Sequence, residues 1–588
     1  MSWTPKRSLS ETDNLLCAPG QLHELETQFV DGRLQRVYKN LWPTLRSFWS
    51  WAVDQHSDKI YIVFEGQRLT YKEIDERARR TASLFYNVFH VRKGDKIGIC
   101  SRNCVEWLVG FWASQLLGSV VVGINAWLPL EPLTFCIVHT GCKVVLVDAE
   151  RAEKLELSVD KLYSERNVTG VLVFNPQDGK GQWSGMDSFN KAFESHHGDS
   201  YPEENVLPED DAVIMFTSGT TGLPKGVLST QRQFLTNVLN TQVGNRRAIL
   251  RRGESLDPPP DGPQKGALVA VPLFHVTGLT SYSMLATMAG MRIILMRKWI
   301  PKEVEGRLIK NENVGLAGGV PAMVADLLES PLVGYPLDGL FFGGSPASQN
   351  LASQAQAAFP TARLSQAYGL TETNSVAVGI AGEDYAMRPG STGLACPVND
   401  MMIVVDGRVA SATEIGEVYL RGPNVMKGYY RDPEATSQVL TSDGWLKTGD
   451  IGVMDEEGFL YIRDRIKDII IRGGENISSI AVENALYADS RVLEAAAVGV
   501  PDKRLGELVA AVVSVKPVHK GKVTESSLIE NVRKSLPPFA IPAMIVITEE
   551  PFELTPSGKI MKGQLRKIAR EQWELRLNAT AKSARANL

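Results

Sequence analysis

The segment Met215–Val227, MFTSGTTGLPKGV, has the composition of a loop that binds phosphate. Its glycines let backbone N–H groups approach an anion closely, and consecutive amides in a turn form an anion-binding concavity. Its hydroxyl groups add donors, and Lys225 adds one mobile positive charge. In a P-loop the lysine is followed directly by Ser or Thr, whereas Lys225 is followed by Gly226. The loop therefore indicates a phosphate site of another kind.

Three later segments carry further residues that suit a nucleotide. In YGLTE, residues 368–372, Tyr368 offers a flat face for a purine and Glu372 offers an oxygen to a hard cation beside phosphates. In DGWLKTGD, residues 443–450, Asp450 is a carboxylate that can accept two ribose hydroxyls. In PSGKI, residues 556–560, Lys559 on its own would predict only a solvated surface lysine.

Together with DRIKD at residues 464–468, these segments occur in the chain order found in the adenylate-forming superfamily, which the chain resembles from roughly residue 45 to 565. That superfamily contains acyl-CoA synthetases, luciferases and peptide-synthetase adenylation domains. The resemblance implies that a carboxylate attacks the α-phosphate of ATP, which gives an acyl-adenylate and pyrophosphate. The thiol of CoA then takes the acyl group and releases AMP. The implied ligands are ATP, Mg²⁺ and CoA.

The resemblance also assigns roles to individual residues. Lys559 would bridge the carboxylate and the α-phosphate, Thr371 would contact that phosphate, and Glu372 would help to hold magnesium. Asp450 and Arg465 would bind the ribose. The residues implied to contact the nucleotide or CoA are Thr217, Ser218, Gly219, Thr220, Thr221, Gly222, Lys225, Gly344, Ser345, Pro346, Gln366, Ala367, Tyr368, Gly369, Thr371, Asp450, Arg465, Lys467, Gly473, Gly474 and Glu475.

Two of these positions concern the thiol step. Lys467 falls where the superfamily has its hinge; many members carry Asp there, and luciferases carry Lys. Gly473, Gly474 and Glu475 match the loop that is presented to the pantetheine arm after rotation at that hinge. Glycine suits the wall of a narrow tunnel because it has no side chain to obstruct the arm.

The segment PLFHVTG, residues 272–278, matches the part of the superfamily that lines the acyl pocket. Amino-acid-activating relatives carry an aspartate where this chain has His275, and that aspartate pairs with the substrate ammonium. A neutral histidine there, which we include among the catalytic residues, suits an acid without an α-amino group. Gly318, Gly319 and neighbouring small residues predict a roomy apolar cleft. We therefore expect a medium- or long-chain fatty acid or an aryl-alkanoic acid rather than acetate.

Short apolar runs alternate with helical stretches over much of the chain, for example KIGIC at 96–100 and GVLVF at 170–174. This pattern predicts an α/β fold with mostly parallel strands packed by helices. After about Ile403 alternating strands predict a β-rich subdomain. We predict a large N-terminal domain, residues 1–466, and a small mobile α+β domain, residues 467–588. The basic and then Pro-rich segment 244–266 predicts a surface insertion.

Composition excludes several other classes. The chain has 588 residues and a net charge of -4, so a nucleic-acid partner is not expected. Six cysteines are too sparse for a disulfide framework, and Cys100 and Cys104 are expected to be bystander thiols. A stretch without charges follows Glu106, but polar residues and glycines interrupt it. It predicts a buried helix, Trp107–Leu117, followed by a strand, Val120–Ile124, and no transmembrane span.

The N-terminus has no apolar segment of the kind found in signal peptides, so we expect a cytoplasmic protein. The peroxisome is the alternative, because the final Ala-Asn-Leu is loosely similar to a Ser-Lys-Leu signal. Three other functions stay open at this point: an adenylating enzyme that loads a separate carrier protein, a luciferase-like oxidative enzyme, and a nucleotide sensor without catalysis. The last is disfavoured because all five charged motif residues are present.

Overall fold

The structure is a computed structural model that describes residues 3–166, 168–217, 223–256, 262–301, 311–344, 349–555 and 558–586. The predicted site residues Ser218, Gly219, Thr220, Thr221, Gly222, Ser345 and Pro346 lie outside these ranges. In the described part, two large sheets and a smaller third sheet precede the C-terminal sheet. This is the α/β architecture that the alternating pattern predicts.

The first large sheet has eight strands among the described residues, and its central strands are parallel. In spatial order its strands are Gly428–Tyr429, Gly226–Thr230, Asp211–Phe216, Val120–Gly123, Lys96–Cys100, Cys142–Asp148, Gly170–Phe174 and Asp187–Ser188. The two strands of this sheet that enclose the glycine-rich loop, Asp211–Phe216 and Gly226–Thr230, are antiparallel neighbours. The loop therefore begins and ends at the same edge of the sheet.

The second large sheet has nine strands in the described ranges. In spatial order they are Leu394–Ala395, Ser375–Ala381, Arg363–Leu370, Gly339–Phe342, Val314–Gly319, Gly266–Val269, Arg292–Leu295, Ile60–Phe64 and Gln67–Thr70. Strands 266–269, 292–295, 314–319, 339–342 and 363–370 are parallel. Their carboxyl ends lie along one edge, where ligands of α/β sheets bind.

The apolar core joins the two large sheets through helices. Strand residues of both sheets, such as Ile97 and Ile293, belong to one buried cluster with the helices of residues 45–56, 71–87 and 105–117. The rings of Trp49 and Trp112 stack in it with 4.4 Å between their centroids. Segment 105–117 is thus a buried helix, as predicted, and within the described ranges no helix is both long and apolar enough to cross a bilayer.

The α-helices that the structure describes before the C-terminal sheet include the three that pack in this core. Their bounds are Leu9–Leu16, Leu45–His56, Tyr71–Asn87, Val105–Leu117, Leu130–Thr140, Ala149–Leu155, Val159–Arg166, Phe189–Ser195, Gln231–Arg251, Met284–Met288, Pro321–Leu328, Gln349–Ala358, Gly382–Met387 and Pro433–Val439. Residues Leu25–Val30 and Arg33–Tyr38 form a separate hairpin.

The β-rich subdomain is a five-stranded antiparallel sheet of strands Arg408–Val409, Asp400–Val405, Gly416–Arg421, Leu446–Met454 and Leu460–Arg465. The C-terminal sheet follows with strands Glu475–Ile477, Ile470–Arg472, Gly506–Val515, Val492–Asp502 and Met544–Thr548. Helices Ser479–Tyr487, Glu525–Val532 and Lys562–Ala586 pack against it.

The predicted surface insertion at 244–266 is wrong over its first part. Residues 244–251 continue the helix Gln231–Arg251, and the side chains of Arg247 and Arg251 are buried. Arg251 forms a two-bond ion pair with Asp384, at 2.9 and 3.0 Å, and Arg247 forms one with Asp13. The basic residues are buried because acids from distant parts of the chain pair with them. Residues 257–261 lie outside the described ranges.

The six cysteines, all within the described residues, are free thiols that form no disulfide. Cys100 and Cys104 are buried free thiols, and burial raises the pKa of each thiol. Among the described residues no group of three or more His, Cys, Asp or Glu side chains could hold a metal ion. The burial of Cys100 and Cys104 is therefore confirmed, and their role as bystanders stays a prediction.

Candidate active site

Several predicted site residues lie where parallel strands of the second sheet end. Gly343 and Gly344 follow the strand Gly339–Phe342, and Gln366–Gly369 lie in the neighbouring strand Arg363–Leu370. Thr371 and Glu372 form a short 3-10 turn directly after that strand. Gly369 has a steric reason to be glycine, since a Cβ there would lie 1.5 Å from the carbonyl oxygen of Ser375. Glycine at position 369 therefore allows the backbone of Ser375 to approach the end of the strand that carries Gly369.

Gln366 and Ala367 precede the aromatic residue of this segment. The Oε1 atom of Gln366 is buried and has no hydrogen-bond partner in the described structure. A buried amide oxygen without a donor is costly. Its position in the predicted nucleotide-binding segment makes it a candidate acceptor for a substrate donor.

Asp450 and Arg465 lie opposite each other in the β-rich subdomain. They are register partners in strands Leu446–Met454 and Leu460–Arg465. Arg465 Nε lies 3.1 Å from Asp450 Oδ1, and the Tyr368 hydroxyl donates to Asp450 Oδ2 at 2.7 Å. Burial and Asp450 raise the pKa of the Tyr368 hydroxyl well above its usual range, so it stays a donor. Both carboxylate oxygens are thus oriented by residues predicted to contact the nucleotide.

Asp450→Asn is expected to raise the KM for ATP about tenfold, because an amide loses the charge that pairs with Arg465 and has only one oxygen acceptor. Asp443→Asn is the matched control in the same segment, since Asp443 accepts from Thr441 at the surface. The measurement is pyrophosphate release at graded ATP concentration. Equal KM values for Asp450→Asn and Asp443→Asn would contradict the assignment of Asp450.

Glu372 and Lys225 are connected through a residue that the sequence analysis missed. The hydroxyl of Tyr429 donates to Glu372 Oε1 at 2.7 Å, and Lys225 Nζ lies 5.0 Å from the centroid of the same ring. The backbone N–H of Met426 donates to the carbonyl oxygen of Glu372 at 2.8 Å. Tyr429 belongs to the segment KGYY at 427–430, where two adjacent tyrosines in a short strand gave the only signal.

The described ends of the glycine-rich loop are held together. The backbone N–H of Thr217 donates to the carbonyl oxygen of Lys225 at 2.9 Å. Thr217 and Lys225 therefore close the loop at its base, where the paired strands Asp211–Phe216 and Gly226–Thr230 meet.

Lys559 reaches this cluster from the C-terminal domain. A Cβ built on Gly344 would lie 3.7 Å from Lys559 Cε, and one built on Gly558 would lie 2.4 Å from Val320 Cγ2. Burial and then Arg465 lower the pKa of Lys559 to about 8, against the opposing effect of Asp450 and Glu372. The structure thus brings together the lysine, the carboxylates and the arginine that the motifs predict.

The loop that carries Lys559 is held by its own backbone. The N–H of Thr555 donates to the carbonyl oxygen of Lys559 at 2.7 Å, and the N–H of Lys559 donates to Thr555 Oγ1 at 2.9 Å. Leu554 and Ile560 form an isolated antiparallel bridge. The described residues on either side of 556–557 are therefore bonded to each other, and the side chain of Lys559 reaches Gly344 of the N-terminal domain.

The lowered pKa of Lys559 predicts how adenylation depends on pH. The amine is charged below about pH 8 and loses its charge as the pH rises through that value, so kcat/KM for ATP should fall above pH 8, approaching tenfold per pH unit. A Lys559→Arg variant, although slower, should lack this limb because its guanidinium stays charged. A common limb in both enzymes would assign the titration to another group.

The two glycines predicted for the thiol step lie elsewhere in this structure. Gly473 and Gly474 are exposed and have φ of 60° and 92°, a region that favours glycine. The N–H of Gly473 donates to the carbonyl oxygen of Leu505 at 2.7 Å. Lys467 is exposed, and partial desolvation followed by the charge of Arg465 lowers its pKa. The structure therefore brings Lys559, and not the Gly473–Glu475 loop, to the predicted nucleotide residues.

His275 lies before a π-helix, Thr277–Ser283, whose wider turn is rare and often occurs at functional sites. Burial and the charge of Lys559 lower the pKa of His275 to about 3. Its Nδ1 accepts the N–H of Thr277 at 3.2 Å, which fits a neutral ring. His275 and Lys559 are thus close enough to interact electrostatically.

The glycines predicted to widen an acyl cleft have another physical reason. A Cβ on Gly318 would lie 2.1 Å from the carbonyl oxygen of Phe341, and one on Gly319 would lie 2.8 Å from Met323 Sδ. Packing against the neighbouring strand and helix explains both positions. A cavity of about 850 Å³ instead lies between the N-terminal hairpin and residues 421–427 and 440–444. The acyl cleft stays a prediction.

Comparison with known proteins places this geometry in a family. The sequence pattern of AMP-binding enzymes matches residues 49–430, and that of the AMP-binding enzyme C-terminal domain matches residues 481–559. The chain belongs to the AMP-binding enzyme family. Both matched segments of this AMP-binding enzyme contribute to the cluster. Glu372 lies in the first segment, and Lys559 lies in the second.

Two curated relatives cover most of this AMP-binding enzyme. The long-chain-fatty-acid–CoA ligase FadD13 of Mycobacterium tuberculosis is 30% identical over 504 residues, which are 85% of this chain and 93% of the relative. The feruloyl-CoA synthase of an Amycolatopsis species is 31% identical over 510 residues, 85% and 94% of the two chains.

A solved structure is also similar to this AMP-binding enzyme. It is the o-succinylbenzoate CoA synthetase of Bacillus subtilis, in a complex with ATP and magnesium ion. It has a TM-score of 0.74 and 28% identity, covering 89% of this chain and 99% of that chain. A second structure of that enzyme, in complex with its acyl-adenylate intermediate, also has a TM-score of 0.74.

Proposed function

We propose that this protein is an AMP-forming acyl-CoA synthetase. It joins a carboxylic acid to AMP at the expense of ATP, releases pyrophosphate, and then transfers the acyl group to CoA. The observation that carries the proposal is the position of Lys559 of the C-terminal domain, whose Cε lies 3.7 Å from a Cβ built on Gly344 and whose charge interacts with Arg465, Asp450 and Glu372 of the N-terminal domain. The named relatives and the solved neighbour are CoA ligases and support the same reaction.

In the first step two anions must approach each other, so repulsion dominates the barrier, and positioning with positive charge is the appropriate catalysis. Lys559 would bridge the carboxylate of the acid and the α-phosphate. Lys225 and the loop that it closes would hold the departing β- and γ-phosphates. Tyr368, Asp450 and Arg465 would fix the nucleoside, since they already orient one another.

Magnesium fits the donor set of this site. Glu372 supplies a hard carboxylate oxygen, and magnesium typically takes one or two carboxylates and fills its remaining positions with phosphates and water. When bound, the ion supplies positive charge beside the phosphates.

For the second step we propose that residues 467–588 rotate about Lys467. This movement would remove Lys559 from the site and bring Gly473, Gly474 and Glu475 to it, where they would line the path of the pantetheine arm. If Lys559 serves the first step and the Gly473–Glu475 loop serves the second, only one of them can lie at the nucleotide residues at a time. This would explain why the structure places Lys559 there and the loop elsewhere.

The acid is proposed to be a medium- or long-chain fatty acid or an aryl-alkanoic acid. The support is His275, a neutral side chain in the segment expected to line the acyl site, which offers no charge to a substrate ammonium. One of the named relatives is a ligase for a long-chain fatty acid, and another is named for the feruloyl group, which is an aryl acid. A cytoplasmic location and the absence of a nucleic-acid partner stay predictions.

The test is pyrophosphate release across carboxylic acids of graded length and aromatic character, with and without CoA. We expect acid-dependent pyrophosphate release, with AMP and thioester formed only when CoA is added. Preference for acetate would contradict the substrate class. Failure of every acid to release pyrophosphate, or of CoA to yield a thioester, would overturn the reaction itself.

A further inference from the structure

Tyr429 lies between two charged residues that the proposed function needs. Its strand, Gly428–Tyr429, is hydrogen-bonded to the strand Gly226–Thr230, and Tyr429 is the register partner of Val227. Lys225 directly precedes that strand. The ring of Tyr429 is therefore placed by pairing with the strand that directly follows the glycine-rich loop.

The backbone of this segment is fixed on both sides. The N–H of Tyr429 donates to Thr436 Oγ1 at 2.9 Å, the N–H of Lys427 donates to the carbonyl oxygen of Leu228 at 2.9 Å, and the N–H of Tyr430 donates to that of Gly226 at 2.7 Å. A side chain held on such a backbone can define the positions of its neighbours. Tyr429 itself is half-buried.

The two polar contacts of the ring differ in kind. The hydroxyl donates to Glu372 Oε1 at 2.7 Å, whereas Lys225 Nζ lies 5.0 Å from the ring centroid. The first contact orients a carboxylate, and the second is a cation–π interaction, which restrains an ammonium without neutralising it. Lys225 and Glu372 have opposite charges and could pair with each other. Tyr429 instead contacts both, through its hydroxyl for Glu372 and through its ring for Lys225.

We propose that Tyr429 is a positioning residue that sets Glu372 and Lys225 together for the magnesium–nucleotide complex. Its hydroxyl engages one carboxylate oxygen and leaves the other available to the cation. Its ring keeps the lysine at the base of the phosphate loop. The inference rests on the proposed function, because only a nucleotide with its metal needs both groups at once.

The test uses three variants and needs no catalysis. Tyr429→Phe keeps the ring and removes the donor, and Tyr429→Leu removes both. Tyr430→Phe is the matched control, since the adjacent ring lies instead near His139, at 6.0 Å between centroids. ATP binding is measured by calorimetry at graded magnesium concentration, without any acid, and thermal unfolding confirms that each variant is folded.

Tyr429→Phe is expected to raise the magnesium concentration for half-maximal ATP binding about tenfold, because the variant loses one hydrogen bond to a charged group. It should leave ATP binding without magnesium unchanged. Tyr429→Leu should weaken both, and Tyr430→Phe neither. An unchanged magnesium requirement in Tyr429→Phe overturns the inference, and so does equal weakening with and without magnesium. If the wild type shows no magnesium-dependent ATP binding, the proposed function falls as well.

Discussion

Replacing Lys559 by alanine is expected to lower the rate of acyl-adenylate formation by about 10²–10³-fold, the effect of removing one preorganised group that stabilises charge in a transition state. Lys559 is half-buried at the domain boundary, and the carboxylates that interact with its charge are Glu372 and Asp450. Water that fills the space left by the variant cannot be preorganised in the same way. The ATP KM should change less than kcat, because Lys559 is proposed to act mainly as charge moves from acid to phosphate.

The second half-reaction, thioester formation, is the control for this prediction about the first. Lys559→Ala should convert preformed acyl-adenylate and CoA to thioester at close to the wild-type rate, since Lys559 is proposed to leave the site before that step. Lys567→Ala is the matched control in the same domain, with a side chain that is 80% exposed, and both half-reactions should be unchanged in it. Pyrophosphate release and thioester formation are measured separately by rapid quench. Equal loss in both half-reactions would contradict the role of Lys559.

The sequence patterns predicted the central strands well because these strands are buried on both faces. The runs at 96–100 and 170–174 are the strands Lys96–Cys100 and Gly170–Phe174, with nearly every residue buried. A strand between two layers of helices has no polar face, so a continuous apolar run flanked by polar turns identifies it. The motif residues were equally visible, since their segments occur in a characteristic order along the chain.

The error at residues 244–251 has a different cause. Arginines in a helix predict a solvated face unless their partners are known. Here the partners are Asp13 and Asp384, which lie far away in sequence and were unremarkable there. Local composition cannot distinguish a buried paired arginine from an exposed one, because the difference arises only when distant segments meet.

Tyr429 was missed for a related reason. Its contacts with Glu372 and Lys225 exist because strand Gly428–Tyr429 pairs with the strand that follows the phosphate loop. Nothing in the residues near position 429 specifies that pairing. Gly318 and Gly319 were misleading for the opposite reason: their small size suggested an open cleft. In the structure they are small because neighbouring atoms pack closely against them.

Replacing Gly474 by tryptophan is expected to leave adenylation within about threefold of wild type and to lower thioester formation by about 10²-fold, the effect expected when a reacting group is misplaced by about 1 Å. In the arrangement that holds Lys559 at the site, a Cβ on Gly474 meets nothing within 4 Å. The indole therefore has room while adenylation proceeds. After the proposed rotation it would occupy the path of the pantetheine arm.

Backbone strain must be separated from obstruction in this experiment. Gly474 has φ of 92°, so any side chain there costs about 1–3 kcal/mol of backbone strain. Gly474→Ala carries that strain without the bulk and is the matched control. If the glycine is needed only for its conformation, alanine and tryptophan will slow thioester formation equally. If it is needed for space along the arm, alanine will retain most of the thioester rate while tryptophan loses it, and the CoA concentration needed for half-maximal rate will rise only in Gly474→Trp.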